Sequence, residues 1–110
     1  MYYSIDGDEV GKKLEYYLAS DQVDKAIAYS SAVTDGVTRI CTRLQLLGAE
    51  ILFCGGDSIL AESVNRLNFD VHSFVGDEIT WSVGVGATPS TALLALKKAK
   101  ALGRNQTVTL

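Results

Sequence analysis

The stretch that most restricts this chain is Phe53-Cys54-Gly55-Gly56-Asp57-Ser58. Apolar residues lead into it, Ile51, Leu52 and Phe53, and apolar residues lead away, Ile59, Leu60 and Ala61. Two apolar runs joined by Gly-Gly predict a β-hairpin with a tight turn, because glycine alone accepts positive φ freely. Arms that are apolar on both faces predict central strands of a covered sheet. Asp57, directly after the turn, then stands at the exposed tip of a buried hairpin. Core packing gives no reason for a carboxylate there, whereas a divalent cation does. One other place offers the same chemistry. Asp6 and Asp8 flank Gly7 at the end of the apolar N-terminal run.

The remaining elements follow in order. Tyr2, Tyr3 and Ile5 favour a strand from Met1 to Asp6. A first helix is predicted from Glu9 to Leu18, with Val10, Leu14, Tyr17 and Leu18 inward. After the break at Ala19-Ser20-Asp21, apolar positions recur every three or four residues from Gln22 to Leu47. That stripe runs Val23, Ala26, Ile27, Ser30, Val33, Val37, Ile40, Cys41, Leu44 and Leu47. A helix of this length spans nearly ~40 Å, enough to cross a small sheet. Gly36 weakens it and Gly48 stops it. The hairpin occupies Glu50 to Glu62, and Ser63 caps a short helix from Val64 to about Val75, before a Gly76-Asp77 turn. Ile79 to Ala87 alternates Trp81, Val83, Val85 and Ala87 against Ser82, Gly84, Gly86 and Thr88. Its small face admits a close neighbour. Thr88 and Pro89 suit the start of a last helix that ends at Leu102-Gly103, and Gln106 to Leu110 suits an edge strand. The expected fold class is α+β, an α/β sandwich. It is a ferredoxin-like βαββαβ palm with an extra N-terminal helix and a C-terminal helix and edge strand. Helices are expected on one face, with the first strand beside the strand that enters the Gly-Gly turn, so that Asp6 meets Asp57.

The totals exclude several classes. A chain of 110 residues makes one domain, 1–110. A net charge of −3 argues against long nucleic acid as a partner, which needs a basic surface, but leaves small nucleotides open. No apolar run reaches ~18 residues, so no membrane span is expected. No basic-then-apolar leader opens the chain, which predicts a cytoplasmic address. Cys41 and Cys54 lack metal-ligand spacing and are expected reduced and packed, with a disulfide left open.

Two carboxylates with a backbone carbonyl make a hard oxygen site for Mg2+ or Mn2+. Magnesium shares its shell with substrate phosphates, so Asp6 and Asp57 suffice as side-chain ligands, and Asp8 is a secondary candidate. Either Asp alone reads more readily as turn composition; the two at neighbouring strand ends favour a site. Gly55 and Gly56 present bare amides to phosphate, although the turn itself already accounts for them. Lys97, Lys98, Lys100 and Arg104 place positive charge around the end of the last helix. Lys100 and Arg104, four apart, share a helical face and can grip a triphosphate; a solvated basic face is the alternative. Tyr16, Tyr17 and Tyr29 read as packing residues, and His72 receives no role.

The order of elements, Asp6-Gly7-Asp8 and Gly55-Gly56-Asp57 resemble the palm domains of GGDEF diguanylate cyclases, nucleotidyl cyclases and CRISPR polymerases. Ala99-Lys100-Ala101-Leu102-Gly103-Arg104-Asn105 resembles the AKxxGRN signature of GGDEF domains, and Trp81-Ser82-Val83-Gly84-Val85-Gly86 resembles their SxGxA strand. Over nearly the whole chain, the nearest resemblance is to the minimal CRISPR polymerase family, mCpol. It implies Asp6 and Asp57 as catalytic and metal-binding acids, with the Gly7 carbonyl as a further ligand. It implies Gly55 and Gly56 beside the nucleotide and Lys100 and Arg104 on its phosphates. Ser58 departs from the family pattern, since GGDEF and GGDD proteins carry a second acid there, whose role is absent or moved to Asp8. The guanine-reading Asn and Asp have no match after Asp8, so the resemblance implies an adenine-based product from ATP in anti-phage defence.

The first reading is therefore an enzyme that joins nucleoside triphosphates into a cyclic di- or oligonucleotide, most easily across a symmetric homodimer. Its product would be read by a separate effector protein. A non-catalytic nucleotide sensor, suggested by Ser58, is the alternative. A ferredoxin-like RNA-binding module ranks last, because strand aromatics and a basic surface are lacking.

Overall fold

The computed structural model describes residues 1–74 and 78–110. Its strands are β1 (Tyr2–Gly7), β2 (Glu50–Gly55), β3 (Ser58–Glu62), β4 (Trp81–Gly86) and β5 (Thr107–Thr109). Its helices are α1 (Val10–Ala19), α2 (Val23–Leu46) and α3 (Pro89–Ala101), with a 3₁₀ turn at Val71–Phe74. The sheet order is β2-β3-β1-β4-β5. All neighbours run antiparallel except β4 and β5, which are parallel and joined through α3. The α+β palm-like class is as expected, and the first four strands keep ferredoxin-like order.

The position of the first strand differs from expectation. β1 pairs with β3, the strand that leaves the turn, and not with β2. β2 is instead the sheet edge, and Phe53 is 55% exposed. Its apolar arm therefore does not mark a central strand.

Paired residues on neighbouring strands point to the same face. Tyr3, Ile5 and Gly7 thus share a face with Ala61 and Ile59, and with Val85, Val83 and Trp81. α2 covers this face and meets it closely at Gly36, where a Cβ would lie 2.7 Å from Trp81 Cζ2. The glycine that weakens the helix thus lets the indole pack against helix backbone. The opposite face carries Ser82, Gly84 and Gly86, and α3 lies on it. A Cβ on Gly84 would collide with backbone atoms of Ala92 and Leu96. Helices therefore sit on both faces, contrary to the one-sided arrangement expected. The small face of β4 is the reason: a bare strand surface draws the Ala-rich side of α3, Ala92, Ala95 and Ala99, into backbone contact.

The helix expected from Val64 to Val75 does not form over its described residues, apart from the 3₁₀ turn. Polar side chains satisfy the backbone locally instead. Ser63 Oγ donates to the Asn65 carbonyl rather than capping a helix. Leu67 N donates to Tyr3 Oη at 2.8 Å, and His72 N to Asp70 Oδ1 at 2.9 Å. Val64 is 98% exposed, so it contributes nothing to an inner face. Val75 and the Gly76-Asp77 turn lie outside the described residues. α2 buries Ala26, Tyr29, Val33, Val37, Ile40 and Leu44, while Val23, Ile27 and Ser30 face outward. Leu18 of α1 is likewise exposed, and Val10 and Tyr17 carry its contact. Among the described residues no helix is long and apolar enough to cross a membrane.

Candidate active site

The hairpin turn consists of Gly56 and Asp57, flanked by the Gly55–Ser58 pair. Asp57 is thus in the turn rather than after it. Gly56 has φ 59°, the positive value a two-residue hairpin loop needs at its first position. Gly7 N donates to the Asp57 carbonyl at 3.0 Å, so the turn is tied to the end of β1. Gly7 also has no room for a side chain. A Cβ there would lie 2.7 Å from Val10 Cγ2 and 3.2 Å from Asp57 Oδ2. The register sets Asp6 opposite Ser58 on one side and Ser82 on the other.

Asp6 and Asp57 consequently sit close enough to feel each other. Burial pushes the Asp57 carboxyl above its ordinary range, and the Asp6 charge pushes it further. Backbone amides and the Lys100 ammonium act in the opposite direction. Half-buried, Asp57 is not the fully exposed tip expected. Ser58 Oγ donates to Asp6 Oδ1 at 2.7 Å and fixes that carboxylate. Ser58, next to Asp57 in the hairpin, therefore orients Asp6 across the strand pair.

Lys100 reaches the site from the last turn of α3. Its Nζ lies 2.9 Å from Asp6 Oδ2, 3.1 Å from the Gly7 carbonyl and 3.6 Å from Asp8 Oδ1. Backbone and carboxylate oxygens of β1 thus converge on one cation. That is the donor chemistry a hard metal ion requires. Among the described residues no three His, Cys, Asp or Glu side chains gather around a metal position. Asp6, Asp57 and the Gly7 carbonyl nevertheless fit magnesium, which takes one or two carboxylates and fills its shell with water and substrate phosphate.

Asp8 plays a different part from Asp6. Its side chain is only 4% exposed. Oδ2 accepts from Thr80 Oγ1 at 2.6 Å and from Asn105 N at 3.0 Å, and Oδ1 accepts from Ser82 Oγ at 2.7 Å. With its lone pairs engaged by the protein, Asp8 ties β1 to β4 and to the turn after α3. That turn runs through Gly103, Arg104 and Asn105 at φ 120°, 65° and 52°. Arg104 therefore lies beyond the helix, and the expected helical pairing with Lys100 does not apply. Its guanidinium lies 3.9 Å from Glu9 Oε1.

A cavity of about 560 Å³ opens between α1 and this turn, bounded by Asp8, Lys12, Lys13, Arg104 and Asn105. A larger groove of about 940 Å³ runs along α2 over Tyr29 and Trp81. Tyr29 and Glu78 border both. Burial raises the Tyr29 hydroxyl pKa, and the charges of Glu78 and Asp57 raise it further. Gly55 and Gly56 have open space where side chains would be. Thr80, Ser82, Lys12 and Lys13 escaped sequence reasoning. Only the small-residue face of β4 pointed toward Ser82.

No curated protein matches the chain. The family model of the minimal CRISPR polymerase domain, mCpol, matches residues 2–110. With its paired strand-end aspartates and glycine hairpin inside that match, the chain belongs to the mCpol family.

Proposed function

We propose that this chain is a metal-dependent nucleotidyltransferase that makes a cyclic di- or oligonucleotide from ATP. The observation that carries the proposal is the meeting of Asp6, Asp57 and the Gly7 carbonyl at the ends of two bonded strands. Membership of a polymerase family supports the same reading.

In the reaction, a ribose hydroxyl oxygen bonds to the α-phosphorus of a second nucleotide. The bond from that phosphorus to the bridging oxygen breaks, pyrophosphate leaves, and the hydroxyl proton passes to solvent. Mg2+ or Mn2+ held by Asp6, Asp57 and the Gly7 carbonyl supplies activation of the hydroxyl and neutralisation of phosphate charge. Ser58 holds Asp6 in one orientation, and Asp8 holds the turn that presents Arg104. Lys12, Lys13 and Arg104 line the smaller cavity and meet the triphosphate. Gly55 and Gly56 allow phosphate to approach backbone. Lys100 balances the charge of Asp6 beside the Gly7 carbonyl and would offer its ammonium to phosphate. One chain supplies one nucleotide site, so ring closure proceeds across a symmetric homodimer, and a separate effector reads the product.

The test is incubation of purified protein with each triphosphate and Mg2+ or Mn2+, followed by mass spectrometry. A cyclic adenine nucleotide, absent with Asp6→Ala and Asp57→Ala, is the expected result. Unchanged triphosphate with all four bases, together with nucleotide binding, would make the chain a sensor.

A further inference from the structure

The two cysteines come from elements distant in sequence that pack together, Cys41 from α2 and Cys54 from β2. On β2 the pairing with β3 shifts between Ile51 and Phe53, leaving Leu52 as an extra residue. This bulge changes which way the strand end points. Ile51 pairs with Ala61 on the α2 face; strict alternation from Ile51 would send Cys54 to the opposite face. With Leu52 inserted, Cys54 pairs with Ile59, which is buried on the α2 face. Cys41 lies on α2 beside Ile40 and packs against the same core. Burial, and after it the charge of Cys54 across the α2–β2 packing, pushes the Cys41 thiol pKa up to about 11. Cys54 itself is exposed, whereas Cys41 is half-buried.

We infer that Cys41 and Cys54 form a redox-responsive dithiol that a peroxide closes into an intramolecular disulfide, fastening the hairpin of Asp57 to α2. The exposed member meets the oxidant. The Cys54 thiolate sulfur attacks one peroxide oxygen, the O–O bond breaks, and water leaves after proton uptake, giving a sulfenic acid. The Cys41 sulfur then attacks the Cys54 sulfur, the S–O bond breaks, and a second water leaves. Two thiols and one hydrogen peroxide give one disulfide and two waters, with two electrons passing to peroxide. Burial of Cys41 keeps the second step dependent on its thiolate, and closure accelerates as pH rises.

The probe is hydrogen peroxide added to the reduced full chain, followed by thiol alkylation, intact mass and non-reducing peptide mapping. The expected product has lost two hydrogens, contains a Cys41–Cys54 linked peptide within one chain, and reverts with dithiothreitol. In Cys41→Ser, Cys54 accumulates as a sulfenic acid that dimedone captures. In Cys54→Ser, Cys41 remains reduced at the same dose, and the variant keeps wild-type activity in reductant. The inference is overturned if wild-type Cys54 advances to sulfinic acid, or links two chains, while Cys41 remains open to alkylation. These readouts do not depend on nucleotide chemistry, so their failure is distinct from failure of the enzymatic reading.

Discussion

Asp57 is where stability and chemistry oppose each other. Its carboxyl is raised first by burial and then by the Asp6 charge. The folded chain therefore binds that proton more tightly than the unfolded chain does. It follows that the group's contribution to stability is present at low pH and is lost as pH rises through its folded pKa. At neutral pH the ionised pair costs stability, which a bound cation repays. Asp57→Asn removes the charge and keeps the shape. The variant is expected to melt above the wild type at neutral pH without metal. The gap should close as pH falls through the folded pKa of Asp57, while nucleotidyl transfer is lost at every pH. Thermal melts of both proteins across a pH series check this. The aspartates, the glycine turn and Lys100 were visible as residue types in sequence. The buried role of Asp8 was not, because its partners Thr80, Ser82 and Asn105 come from distant elements, far along the chain, that only the fold brings to it.

The elements explain what local pattern reading missed. Periodicity located α2, and the Thr88-Pro89 start and Gly103 stop located α3; Thr88 caps α3 as its sequence suggests, accepting from Thr91 N at 3.2 Å. Periodicity says nothing about which face of a sheet a helix chooses. That choice was written in Gly84 and Gly86, whose missing side chains admit the backbone of α3. Gly84→Ala would drive a methyl into the Ala92 and Leu96 backbone, where no rotamer can relieve it. The substitution is expected to cost ~3 kcal/mol or more, read as a lowered urea midpoint, and to displace Lys100 with α3. The segment from Val64 onward was misread because its apolar spacing resembles a helix. Ser63 and Asp70 engage nearby backbone instead, and local hydrogen bonds won over a helix too short to be stable alone.

At the scale of the molecule, three distant pieces of chain make one site: the end of β1, the β2–β3 turn and the turn after α3. None has metal chemistry by itself. The sheet order joins them, since β1 lies between β3 and β4. The expected order of elements anticipated the closeness of Asp6 and Asp57 but named the wrong neighbouring strand, because hairpin polarity does not reveal which arm is the edge. The larger groove runs along α2 past Tyr29, and α2 also packs on both arms of the hairpin. On the proposed function, the folded chain holds a divalent ion between Asp6 and Asp57 when nucleotide is present. Titration of Mn2+ into the full chain with a non-hydrolysable ATP analogue, followed by electron paramagnetic resonance, measures this directly. Bound Mn2+ is expected in the wild type and its loss in Asp57→Asn, with the variant still folded. Equal Mn2+ binding by the two proteins would contradict it.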